Sequence, residues 1–463
     1  MRVIIAGAGP AGMVSAKLLA DRGHEVVLLE KRPVPGGKVS AWQDADGDWI
    51  ESGLHVFFGA YRNLLGFLDS CDLSDTFDWK PAEMIFASPA HGLASIRFVP
   101  GLPAPFNGLT GVATSKLLPL RDKLRVALGL LRPIFGNQQY IDAQDNESYA
   151  AWHLRHGMGK RSLHDVMDTM ALALNFQRTD KVSAKLMLTA LLHFAKETGA
   201  SKMALVKGSP HTRIWTPLID QIEALGGRVE LKHKVTAIDY DPVANRVNGF
   251  VLDDGSTIKG DLFISAMPVH SLRKTLPDSL YTMPYFANLK QLKSQPVITV
   301  QIFFDRQIAG VDNLIFSAHT HLSVYADMAM VAPDYHRGGA SIMQFVVAPA
   351  EDLIKLGDEE LIAYVMSEFI RLHPIAQEAK LLKHTIVRIP NSVYQARPGV
   401  NQYRPDQASP VPNFFLAGDY TQQDFMASIE GAVISAKRCV ERVLQRVERD
   451  TIEIEREALA FTP

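Results

Sequence analysis

Apolar positions near the amino terminus form two unbroken runs with a helical pattern between them. Val3-Ile4-Ile5-Ala6 is too continuously apolar for a half-exposed strand and predicts a strand buried on both faces. Val14, Leu18 and Leu19 then recur at helical spacing as far as Gly23, and Val26-Val27-Leu28-Leu29 is a second buried run ending on Glu30. Strand, helix, strand in this order predicts a parallel βαβ unit. The pattern resumes later in pieces. Pro217 to Leu225 is helical in period and ends at Gly226-Gly227, Arg228 to Leu231 starts a strand, and alternating strands around Gly249 to Leu252 turn at Asp253-Asp254-Gly255-Ser256. Leu262 to Ser265 reads as a strand returning to the first sheet. Asn413 to Leu416 reads as one more, followed by a helix from about Ser428. Residues 164–197, dense in Leu and Met, predict a long helical stretch that serves as core and as the wall of a tunnel.

The turn of the first unit carries the first chemistry. Gly7-Ala8-Gly9-Pro10-Ala11-Gly12 places Gly7 in a tight turn, Gly9 where backbone can approach a pyrophosphate, and Gly12 where helix and strand pack closely. The helix start offers free N–H groups to phosphates, and Glu30, 18 residues past Gly12, stands where a carboxylate binds a ribose diol. The fingerprint in this context predicts a dinucleotide site. Directly after Glu30, Lys31, Gly36, Gly37 and Lys38 form a basic, glycine-rich loop that adds N–H donors. About 400 residues later, Leu416-Ala417-Gly418-Asp419 runs from a strand into a turn.

A glutamate, basic residues and a glycine pair, matched by a distant Ala-Gly-Asp, resemble the flavoprotein family that includes amine oxidases and carotenoid desaturases. The resemblance implies FAD as cofactor. Asp419 would then bond the ribityl or pyrophosphate portion, Gly418 would form the turn, and Met426 is assigned with them as a contact. Val235 would clamp the adenine through its backbone, a core valine in a hairpin being the equal alternative. A closer resemblance covers nearly the whole chain. Asp46 to Tyr61, Leu174-Asn175-Phe176, Ser201 to Ala204, Leu322 to Asp327, Ser392-Val393-Tyr394 and Arg404-Pro405 look like the plant and cyanobacterial carotene desaturases. The strings at 46–49, 201–204, 322–327 and 348–351 are similar to phytoene desaturase, and those at 207–210, 297–301 and 403–407 to zeta-carotene desaturase. The balance favours 15-cis-phytoene to zeta-carotene. The alternatives are zeta-carotene desaturation, a flavin-dependent carotenoid isomerase, and a lipid-carrying regulator of the dissociation-inhibitor type.

That family implies an α/β fold: a Rossmann-like FAD-binding domain of the amine-oxidase type, an interleaved α+β substrate domain, and a helical membrane-facing subregion. The expected division is 1–85, 205–275 and 405–445 for the FAD domain, 86–204 and 276–404 for the substrate domain, and a charged tail over 446–463. Four residues are candidates for the substrate site. Arg213 resembles the family's inhibitor- and quinone-site arginine, with a salt bridge in its own domain as the alternative. Tyr420 and Thr421 follow Asp419 and so fall near the ring. His55, with Phe57, follows Gly53 at the second flavin loop. A carotene, a membrane quinone such as plastoquinone, and a second copy of the chain are the expected partners.

Composition sharpens rather than redirects this picture. The 463 residues are 47% apolar and 21% charged, and 48 Lys+Arg against 50 Asp+Glu give a net charge of −2, which offers no footprint for nucleic acid. Only Cys71 and Cys439 occur, so neither a disulfide scaffold nor a redox pair is expected. No histidine cluster has metal spacing, and no metal is expected. Mean hydropathy is +0.01. Ser115 to Phe135 combines basic residues with dense leucine, and on a helix Leu120, Leu124, Leu128 and Leu131 make an apolar face flanked by Lys123 and Arg125. A basic amphipathic segment reads as a lipid-surface contact. With no leader preceding the first strand, the expectation is a bacterial protein held peripherally at the cytoplasmic face of the membrane.

Overall fold

The computed structural model describes residues 1–98, 102, 106–195, 197–335, 338–425 and 427–460. Its organising element is a five-stranded parallel sheet. Strands β1 (Arg2–Ala6), β2 (Glu25–Glu30), β3 (Arg228–Leu231), β4 (Leu262–Ser265) and β5 (Phe414–Leu416) stand in the order β3-β2-β1-β4-β5. β1 sits at the centre, with Val3 to Ala6 paired to Leu262 to Ser265 on one side and to Val26 to Leu29 on the other. Both faces are covered, so Val3, Ile4, Ile5 and Val26 to Leu28 are wholly buried, which is why these strands read as continuous apolar runs. Helix α1 (Pro10–Ala20) crosses from β1 to β2, with Pro10 at its first turn, where a missing N–H costs nothing. A small antiparallel sheet of Val235–Asp241, Arg246–Leu252 and Thr257–Ile258 is inserted between β3 and β4.

The second layer is a seven-stranded mixed sheet. Its order is Leu381–Tyr394, Ser294–Phe304, Ile342–Val347, Leu322–Asp327, Ile315–Ser317, Glu83–Ser88 and Gly92–Arg97. The expected boundary at residue 85 falls inside Glu83–Ser88, whose pairing with Ile315–Ser317 carries it into this sheet. Helix Asp358–Leu372 covers one face, building a second core from Phe345, Leu361, Val365 and Phe369.

The helical stretch expected over 164–197 is broken. A π-type turn at Leu163–Met167 leads into Asp168–Asn175, Phe176 takes a left-handed conformation (φ 60°), and a separate helix spans Ala184–Ala195. Asp168 fixes the break: its Oδ1 accepts the Thr179 N–H at 2.9 Å and the Thr179 hydroxyl at 2.5 Å. A periodic apolar pattern does not reveal a side chain that satisfies backbone donors beyond a chain reversal.

Residues 120–135 form one helix, Leu120–Phe135. Its inner face buries Val126, Gly129 and Pro133, with Gly129 against Met158. Leu120, Leu124, Leu128, Leu131 and Phe135, on the outer face, are 45–71% exposed. Among the described residues no helix is long and apolar enough to cross a membrane.

Candidate active site

Two glycine loops press together above the ends of β1 and β2. The Gly36 N–H donates to the Ala8 carbonyl at 2.8 Å. A Cβ on Gly37, whose φ is +57°, would stand 2.9 Å from the Gly9 Cα, and one on Gly12 would stand 1.8 Å from the Gly7 carbonyl oxygen. Neither neighbour can yield, because both are backbone. Arg32 staples the second loop from beneath, donating to the Gly37 carbonyl (3.3 Å) and the Ser40 hydroxyl (2.8 Å) while its guanidinium lies 5.2 Å from the Trp42 ring.

Glu30 closes β2, buried, and accepts the Ala8 N–H at Oε2 and the Arg32 N–H at Oε1, each at 2.9 Å. Each carboxylate oxygen offers two lone pairs, so one remains on each for a diol. The residues therefore fit a dinucleotide: a cradle that a Cβ would fill, and a half-satisfied buried carboxylate beside it. Lys31 is exposed at the rim. Val235, buried, begins the inserted sheet opposite Leu252.

The far half-site arrives on β5. Lys38 Nζ bonds Asp419 Oδ2 at 3.2 Å. The Gly418 N–H donates to the Ser435 hydroxyl at 2.8 Å, tying the turn to the terminal helix Ile429–Ala460. Met426 lies outside the described residues. Neither Tyr420 nor Thr421 is among the residues lining the apolar cavity beside the loops: both are fully buried, and Thr421 bonds Ser435 (2.7 Å) and Gln407 (2.9 Å). Burial pushes the Tyr420 phenol far up from its ordinary range.

Sequence reasoning gave Arg404 no role, yet it holds this turn. Its guanidinium donates to the carbonyls of Asp419 (3.2 Å), Tyr420 (3.4 Å) and Thr421 (2.6 Å), and it is buried. A buried cation needs such acceptors. The only trace in the sequence is the Arg404-Pro405 pair that carries part of the family resemblance.

Beside the loops lies an apolar cavity of about 150 Å³. Val39, Leu54, His55 and Phe57 line it from the loop side, Phe194 from helix Ala184–Ala195, and Phe425 from the approach to the terminal helix. Aromatic contacts join the wall, with Phe58 and Phe194 centroids 4.8 Å apart and Tyr61 edge-on to Phe425 at 6.0 Å. Among the described residues no carboxylate lines it. The seven-stranded sheet holds the segment leading in, through Thr299 to the Ser52 carbonyl (3.1 Å), Gln301 to Trp49 (3.2 Å) and Gln344 to Gly53 (2.7 Å).

His55 and Phe57 are thus brought to the cavity, and Arg213 is not. Arg213 is exposed on the π-type turn His211–Trp215, its Nε donating to the Lys207 carbonyl at 2.8 Å. Its neighbour Trp215 is what reaches inward, bonding the Val39 carbonyl at 2.7 Å. Away from the site, Asp44, Asp46 and Asp48 cluster at a hairpin around the Lys383 ammonium, at 2.5, 2.6 and 2.8 Å.

Residues 10–444 match the family described as flavin containing amine oxidoreductase. The chain is 42% identical over 456 residues to the 15-cis-phytoene desaturase of Synechococcus elongatus, covering 96% of each. It is 35% identical over 475 residues to a probable zeta-carotene desaturase of the same organism, covering 96% of this chain and 99% of that one. An oxidoreductase from Methanosarcina mazei shares the fold, with a TM-score of 0.75 at 17% identity over 95% of this chain and all of that one.

Proposed function

From a chain that belongs to the flavin-containing amine oxidoreductase family, and within it to the carotene desaturases, we propose an FAD-dependent enzyme that converts 15-cis-phytoene to zeta-carotene. The observation carrying this reading is an apolar cavity that meets the end of the second glycine loop at Val39 and is lined by no carboxylate among the described residues. The greater identity to the phytoene enzyme than to the zeta-carotene one supports the choice of substrate, and the latter's near-complete coverage keeps zeta-carotene desaturation as the second reading.

When bound, FAD supplies a hydride acceptor. The protein's part is to bind, orient and exclude water. Glu30 takes the ribose hydroxyls, the apposed Gly9 and Gly37 backbones admit the pyrophosphate, and Asp419, anchored by Lys38 and Arg404, meets the remainder. Leu54, Phe57, Phe58, Phe194 and Phe425 hold a hydrocarbon segment in a dry environment. The cavity is smaller than the about 300–1,000 Å³ of ordinary ligand sites, so it suits only the reacting part of a long polyene. Desaturation removes a hydride and a proton from adjacent carbons and leaves a double bond. Once the hydride is gone, the neighbouring C–H is strongly acidic, so a water at the open side of the cavity suffices to take its proton and no tuned carboxylate is needed.

Helix Leu120–Phe135 supports a peripheral membrane position, its exposed leucine row flanked by Lys123 and Arg125 at the surface of a bilayer holding both the carotene and a quinone acceptor such as plastoquinone. We place it at the cytoplasmic face.

The test is expression in phytoene-accumulating bacteria, followed by pigment chromatography and a visible spectrum of the purified protein. Zeta-carotene formed by a yellow, flavin-loaded protein is the expected result. Unconverted phytoene with added zeta-carotene consumed would reverse the substrate, and purified protein without flavin would sink the oxidoreductase reading.

A further inference from the structure

Among the described residues His55 is the one ring nitrogen-bearing side chain in the cavity wall, and both its nitrogens are committed. Nδ1 lies 2.8 Å from Glu51 Oε2, and Nε2 lies 2.8 Å from the Lys38 carbonyl oxygen. A carbonyl only accepts, so Nε2 must carry a proton. That carbonyl also accepts the Ser52 hydroxyl at 2.9 Å. Glu51 is just as constrained on its other side, where the Tyr335 hydroxyl donates to Oε1 at 2.7 Å. Burial and the Glu51 charge push the Tyr335 phenol well up, which keeps it a donor. Glu51, Tyr335 and the Lys38 carbonyl are therefore three groups arranged for a histidine that donates from both nitrogens. All are withdrawn from solvent, Glu51 at 5% and the His55 side chain at 13% exposure.

We propose that this chain of bonds holds His55 doubly protonated, presenting a fixed positive charge on the cavity wall that favours the reduced form of a bound flavin. The inference rests on the proposed function, with the loop side of the cavity, where Val39 and His55 stand, meeting the flavin ring and its Phe194 and Phe425 side meeting the hydrocarbon. Transfer of a hydride to a neutral ring leaves that ring with one added negative charge. Glu51 balances His55, but only His55 lines the larger cavity, so the positive end of the pair faces the ring side and the negative end faces Tyr335. In a dry site such an oriented charge needs no reorganisation as charge develops. The same geometry denies His55 the role of proton acceptor, since neither nitrogen has a free lone pair. Glu51 and Tyr335 are positioning residues.

The experiment compares FAD-loaded wild-type protein with His55→Gln, whose amide still donates to the Lys38 carbonyl but carries no charge, and with Glu51→Gln. The midpoint potential of bound FAD gives the preference for reduced over oxidised cofactor. Loss of at least about ten-fold of that preference in both variants is expected, the size one charge exerts across about 12 Å through an effective dielectric of about 20. An unchanged potential in variants that still bind FAD would overturn the proposal and leave the flavin reading standing; failure of wild-type protein to bind FAD would overturn that reading. Nitrogen-15 NMR of histidine-labelled wild-type protein decides without any variant. Two protonated ring nitrogens on His55 support the proposal, and one refutes it.

Discussion

Lys38 and Asp419 are separated by 381 positions in the chain and meet at 3.2 Å, Nζ to Oδ2. The contact joins the loop after β2 to the turn after β5, so one ion pair registers the two halves of the cofactor site. Lys38 is also the residue whose carbonyl holds His55. Asp419→Asn keeps the shape and removes the charge. The expected outcome is FAD retention weakened about ten- to hundred-fold, corresponding to about 1.5–3 kcal/mol for a charged hydrogen bond, with the melting temperature of the apoprotein little changed. Fluorescence titration with FAD checks it.

Gly12→Ala addresses the packing of the loop itself. A methyl group 1.8 Å from the Gly7 carbonyl cannot be accommodated by a rotamer change, because both contacts are backbone. Destabilisation of about 3 kcal/mol, at the upper end for overpacking, is expected together with loss of the flavin absorbance. Urea unfolding of the purified variant measures the first and a visible spectrum the second. Retained flavin and wild-type stability would contradict the packing described above.

Leu124→Ser and Leu128→Ser combined should separate membrane binding from folding. Both side chains are more than half exposed, so the stability change should stay within about 0.5 kcal/mol. Interfacial affinity scales with buried apolar area, at about 0.8 kcal/mol for each CH₂ equivalent, so binding to vesicles should fall at least about ten-fold. Vesicle co-sedimentation alongside a thermal melt reports both quantities.

Acid should act on the second core. His373 is buried with its Nε2 2.7 Å from the Tyr325 hydroxyl, and burial pulls its ring down from 6.5 to about 4. The folded value lies below the unfolded one, so the stabilisation is present above 6.5 and is lost as pH falls toward about 4. Over that window the unfolded chain gains a proton that the fold refuses, which costs about 1.4 kcal/mol per pH unit for this group. His373→Gln should flatten the acid limb of unfolding free energy against pH. An unchanged slope would show that His373 titrates as freely folded as unfolded.

What the sequence revealed was local. Gly7, Gly9, Gly12 and Glu30 were readable because turn, helix start and strand end are consecutive, and each demands its residue type on steric or electrostatic grounds. β1, β2, β4 and β5 were readable because burial on both faces leaves no polar alternation, whereas β3, a partly exposed edge strand, was readable from the helical run and Gly226-Gly227 before it. Partnerships across the chain were not. Nothing around Glu51 announces Tyr335, 284 positions away, and nothing around Arg404 announces the three carbonyls it binds. Periodicity reports which face a side chain occupies, not what meets it there. The wall residue Phe425 was hidden for that reason, whereas Phe194 falls in the 164–197 stretch read as a wall, and the burial of Tyr420 and Thr421 shows that nearness in sequence does not place a side chain in a cavity.

The position of β5 also bears on how the protein is made. β4 receives β1 on one edge and β5 on the other, and β5 is synthesised last of the five. Because domains form in order of emergence from the ribosome, a nascent chain can assemble β1 through β4 while lacking Asp419 and Arg404 altogether. Its glycine cradle would be shaped but could not clasp a dinucleotide firmly. Firm flavin binding therefore depends on the last of the five strands, and a chain ending before β5 is expected to lose the yellow colour because it lacks Asp419 and Arg404.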